Sequence, residues 1–183
     1  MERAPPGKAM KPVSRISVER LAAAIKKVHS MSPAEKITLA DEVFEKQPNL
    51  LASCLVQQRL GVAADAVEFL LNILLVCFQA MKESGHAWPL ISEDEQERQL
   101  ARLSGAVKFS EDLADPTLAD AARAHYVTNH PEAPLLAFVL AEFNVWLQEL
   151  TRRGAESESD KFVMMAAVNI VNCIAHARGP ERA

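Results

Sequence analysis

The sequence predicts an all-α fold, a compact bundle of about eight helices. Three observations predict it. Apolar residues recur at helical spacing along most of the chain. Ser-Pro, Asp-Pro and Gly punctuate the chain at helix-length intervals, and β-branched runs bounded by turn residues are missing. With 183 residues, 49% of them hydrophobic, the chain can enclose a sizeable core.

Taken in order, the first helix is expected over 18–29. Ser17 caps it, and Leu21, Ile25 and Val28 share a face. Ser32, Pro33 and Glu35 then form a helix start with proline in the first turn and a capping box. The second helix runs over 33–46, with Ile37, Ala40 and Phe44 expected as its inner stripe. Pro48 restarts the chain into a third helix, 49–59, with Leu51, Cys54 and Leu55 inward and Gly61 as its stop. The fourth, 63–82, is apolar on every face between Phe69 and Phe78 except at Asn72, the signature of a helix buried on every side. Its polar interruptions, Asp65, Glu68, Asn72 and Gln79, argue against a membrane span.

Trp88-Pro89 lies in a connector, after which Ser92 and Glu95 suggest a second capping box. The fifth helix carries Leu100, Leu103 and Val107. Asp115-Pro116 opens the sixth, which ends near His130. The seventh, 135–153, has a wide stripe of Leu136, Val139, Leu140, Phe143, Leu147 and Leu150, with Trp146 at its edge and Gly154 as its stop. The last helix, 161–178, is apolar almost all round, broken by Asn169 and Asn172. Residues 1–15, with Arg3, Lys8, Lys11, Arg15 and three prolines, read as a disordered basic tail, and 16–183 as a single helical domain.

The punctuation repeats. Pro33 to Pro48 and Pro116 to Pro131 are both fifteen residues apart. Leu-Leu-Ala follows each interval, at 50–52 and 135–137, and each half ends in an apolar helix with Asn-Ile at its middle, 72–73 and 169–170. The pattern suggests tandem duplication of a four-helix unit, with halves at about 16–85 and 92–179. The two apolar helices, 63–82 and 161–178, then belong at the centre, packed on each other.

The chemistry-bearing residues are sparse. Net charge is −4, and the second helix carries Glu35, Asp41, Glu42 and Glu45, so nucleic acid is an unlikely partner. Cys54, Cys77 and Cys173 sit in apolar context without CxxC spacing. They read as reduced, buried thiols, which points to a cytoplasmic setting. Five histidines show no metal-binding spacing, and His29, His130 and His176 read as helix-terminal cations. No phosphate-binding or nucleophile motif occurs, so no catalytic residue, cofactor or metal is expected.

Asn72, Asn169 and Asn172 stand out, because a buried amide without partners costs on the order of 1–3 kcal/mol. They read as a structural hydrogen bond across the pseudo-axis, Asn72 to Asn169, or as the polar lining of a pocket between the halves. Trp88 and Trp146 are candidate interface anchors. The functional expectation is a non-enzymatic interaction or scaffold protein that self-associates. The alternatives are a binder of a small apolar ligand between the halves and an enzyme with an unfamiliar helical site.

Overall fold

The structure is a computed structural model and describes residues 14–177. Those residues form eight helices and no strand: α1 Val18–Ser30, α2 Pro33–Lys46, α3 Pro48–Arg59, α4 Ala64–Glu83, α5 Glu93–Glu111, α6 Pro116–Thr128, α7 Ala133–Arg153 and α8 Asp160–His176. Residues 1–13 of the expected tail lie outside the described residues, as does the end of the helix expected over 161–178.

The local signals act as their chemistry requires. Ser17 accepts from the Arg20 N–H at 3.4 Å, and Ser32 and Glu35 complete the capping box of α2. Asp115 accepts from the Thr117 N–H at 2.9 Å. Gly61 and Gly154 stop their helices at φ +86° and +63°, where a Cβ would strain the backbone. The second capping box is only half made. Ser92 accepts from the Glu95 N–H, but the Glu95 carboxylate turns instead to Arg98 and Gln99.

α4 and α8 lie at the centre and pack on each other. α4 is buried without interruption from Ile73 to Met81, and α8 from Ala167 to Ile174. More than two turns of unbroken burial mean that each helix has neighbours on every side. Around α4 stand α1, α2 and α3, and around α8 stand α5, α7 and α3. Three neighbour relations recur along the chain, α1 with α4 and α5 with α8, α2 with α3 and α6 with α7, α3 with α4 and α7 with α8, whereas α5 with α6 and α2 with α4 have no counterpart of comparable extent.

Three inner faces differ from expectation. In α2 the core side chains are Leu39 and Val43, while Ile37 and Phe44 are 64% and 66% exposed. This helix has two apolar faces, and spacing alone does not say which one meets α3 and α4. In α3, Leu50 and Cys54 point inward and Leu55 is exposed. In α5, Leu103 is buried and Leu100 is exposed. The expected stripe of α7 is correct in its buried members, Leu136, Val139, Phe143 and Leu150.

α4 and α7 are long and apolar enough to cross a membrane, with mean hydropathy of 1.6 and 1.2. Length and composition of that kind also describe the core helix of a bundle, and α4 has 67% of its apolar window buried here.

Candidate functional site

The polar groups converge where the α6–α7 turn meets the C-terminal end of α8. Glu132, which immediately precedes α7, is only 1% exposed. Its carboxylate accepts from the Ser14 hydroxyl, the Arg15 N–H at 3.1 Å and the Ile16 N–H at 3.2 Å, with the Arg15 Nε at 3.4 Å. Several donors and a guanidinium compensate for its lost hydration. Arg15 extends further. It donates to the carbonyls of Ile174, Ala175 at 3.2 Å and Ala177 at 2.9 Å, satisfying the last turn of α8. Its guanidinium also lies 4.1 Å from the centroid of the Trp88 ring.

His130, buried in the same turn, has a determined tautomer. Its Nδ1 accepts the backbone N–H of Glu132 at 3.1 Å, so that nitrogen carries no proton. The proton of the neutral ring therefore sits on Nε2, which donates to Asn172 Oδ1 at 2.9 Å. Burial is the main force holding the His130 pKa below its ordinary value, and nearby His176 adds to it. Asn172 Oδ1 accepts a second bond from the Tyr126 hydroxyl at 2.8 Å. Burial pushes the Tyr126 pKa up, against that bond. Asn172 is 3% exposed and its Nδ2 has no hydrogen-bond partner among the described residues.

Beside this network runs a trench along α5 and α8, made of three adjoining cavities. An apolar groove of about 560 Å³ lies between α5, α6, α7 and α8, floored by Leu103, Val107, Leu140, Met164, Met165 and Val168. It shares Leu103, His125 and Tyr126 with a second cavity of about 310 Å³, whose lining includes Arg102, His130, Asn172 and His176. That cavity in turn shares Gln99, Arg102 and His176 with a third of about 340 Å³, at Ser92, Glu95 and Arg98. From Gln99 to Ser110 the trench follows α5 for about 16 Å at 1.5 Å per residue.

The polar residues singled out by sequence divide among different places. Asn172 is part of the network. Asn169 donates to the Gln96 carbonyl at 3.1 Å, and its Oδ1 is buried without a partner. Asn72 does not meet Asn169. It accepts from Lys36 Nζ at 3.1 Å and donates to the Glu68 carbonyl of its own helix at 3.0 Å. Neither Asn72 nor Asn169 lines the apolar groove, which belongs to the second half alone. Gln79 is the fully buried amide of α4, bonded to Glu83.

Both tryptophans make internal contacts. Trp88 Nε1 donates to the Met81 carbonyl at 3.0 Å and to Ser84 Oγ at 3.1 Å. Trp146 stacks on Phe69, with ring centroids 4.9 Å apart. Burial raises the thiols of Cys54 and Cys173 to about 12 and that of Cys77 further, leaving all three protonated and unreactive at neutral pH. No group of three or more His, Cys, Asp or Glu among the described residues is arranged to hold a metal.

The sequence reading missed Glu132, Tyr126, His130 and Arg15 as one network, because the partners come from the chain start, the α6–α7 turn and α8. A single acid just before the proline-led start of α7 was the only local sign. No protein-family model, no curated protein and no solved structure matches the chain.

Proposed function

We propose that this protein is a binding protein for a small, largely apolar ligand, held in the groove between α5, α6, α7 and α8. One observation carries the reading. An apolar groove of about 560 Å³, flanked by a few convergent polar groups, has the size and lining of a small-molecule site. Two methionines in its wall, Met164 and Met165, supply an adaptable surface. α6 buries only Ala119 fully, so one wall is lightly held. The buried free thiols support a reducing, cytoplasmic setting as part of the same proposal.

Calorimetric titration with dodecanol tests the reading. Saturable binding at one site per chain is expected, and A106W, which fills the groove from an exposed position on α5, weakens it at least tenfold. Absence of saturable binding, or binding indifferent to A106W, contradicts it.

A second reading is a self-associating interaction protein, favoured by the outward pair Ile37 and Phe44 on α2. Sedimentation of the wild type against an I37K/F44K double variant tests it. Association lost in the variant supports it, and a wild type that stays monomeric at every concentration removes it. We also propose descent by duplication, supported by the matched neighbour relations of α1 to α4 and α5 to α8.

A further inference from the structure

The trench is chemically graded along its length. At the α8 N-terminal end, Met164, Met165 and Val168 face Val107 and Leu140. One to two turns further along α8, the lining becomes Asn172 and His176, opposite Gln99 and Arg102 on α5. The charges at this polar end do not cancel. Glu95 is paired with Arg98, and Gln99 Nε2 also donates to it at 2.6 Å. Arg102 has no ion pair among the described residues and lines both of the smaller cavities.

Asn172 adds an independent sign. Its Oδ1 already accepts from Tyr126 and His130, and that pair of donors determines which way the amide points. The Nδ2 donor is therefore the unused side of a side chain that is 3% exposed and lines the cavity. Both groups line the same cavity, and an amide donor together with an unpaired guanidinium suits an acceptor that carries negative charge.

We infer that the trench takes a single-chain anionic amphiphile, with its tail in the apolar groove and its acid group at Arg102, His176 and the Asn172 amide. The inference rests on the groove being a ligand site and specifies the class of ligand. Apolar burial supplies attraction along the tail, and the unpaired guanidinium supplies preference for an acid over an alcohol of equal length.

The test compares dodecanoate, dodecanol and dodecyltrimethylammonium by calorimetric titration, below micelle formation, on the whole chain and on R102M. Dodecanoate is expected to bind the wild type at least tenfold more tightly than dodecanol, with the cation weakest. R102M is expected to remove the advantage of the acid over the alcohol, with far-UV circular dichroism and an unchanged thermal midpoint showing that the variant is folded. Equal affinity for acid and alcohol in the wild type overturns the inference and leaves the groove reading standing. An acid preference that survives R102M overturns it as well. Failure of all three compounds to bind defeats the groove reading itself.

Two further arms settle the occupant. Sedimentation with anionic phospholipid vesicles is expected to leave the protein in the supernatant. Arg102-dependent vesicle binding without dodecanoate binding assigns the site to a membrane headgroup and overturns the inference. Native mass spectrometry is expected to show one dodecanoate per monomer. A dimer that dodecanoate does not dissociate assigns the groove to a second copy of the chain and overturns it too.

Discussion

Asn172 and Asn72 show how the same residue type has different weight in different surroundings. Asn172 Oδ1 is the acceptor for a buried donor, His130 Nε2, and a half-buried one, Tyr126 Oη. N172L strands both, at about 1–3 kcal/mol per orphaned donor, and urea denaturation should show the loss. N72L removes only a bond to Lys36 and one within α4, so its effect should stay within about 0.5 kcal/mol. His130 gives the network a pH dependence of defined sign. The folded ring is held neutral below the ordinary value of 6.5, so the unfolded chain takes up the proton first on acidification. Stability is therefore full above about 6.5 and declines as pH falls from there toward the lowered folded value. Glu42 and Glu83 add their own losses only below 4.5. The Lys82 bond depresses Glu42, and bonds from Gln79 and then Lys27 depress Glu83. H130Q should remove the upper segment and keep the lower one, as read from denaturation midpoints between pH 7 and pH 3.

At the scale of the element, the last turn of α8 depends on a residue far away in sequence. Arg15 closes three carbonyls of that turn and braces Glu132. R15A should cost on the order of 1–3 kcal/mol and speed amide exchange at 174–177, because it leaves carbonyls and a buried carboxylate short of partners. Elements of this kind divide sharply in how legible they are. The starts at Ser17, Ser32 and Asp115 and the stops at Gly61 and Gly154 depend on neighbours three or four residues away, so the sequence displays them. The continuous burial of α4 and α8 is equally plain, because a helix that is apolar on every face, apart from Asn72 and Gln79 in one and Asn169 and Asn172 in the other, needs neighbours on every side. The inner face of α2 is not, since Ile37 with Phe44 and Leu39 with Val43 both satisfy helical periodicity. Only the positions of α3 and α4 decide between them. Glu132, Arg15 and His130 were illegible for a similar reason: each bond in their network spans either a turn or more than forty residues.

For the whole molecule, two enclosed helices hold the bundle while α5 and α6 leave an unfilled seam against α7 and α8. The seam lies inside one half of the chain rather than between halves, which is why Asn72 and Asn169 do not reach it. Asn172 marks its polar end, and the methionine pair marks its apolar end. Four methionines fall within the described residues: Met31, Met81, Met164 and Met165, of which only the last two line the seam. The most direct measurement is therefore a methyl NMR titration with dodecanol of protein labelled at the methionine methyls. Saturable shifts at Met164 and Met165, with Met31 and Met81 unmoved, are what a ligand site in this seam predicts. Shifts spread over all four, or none at the 164–165 pair, would contradict it.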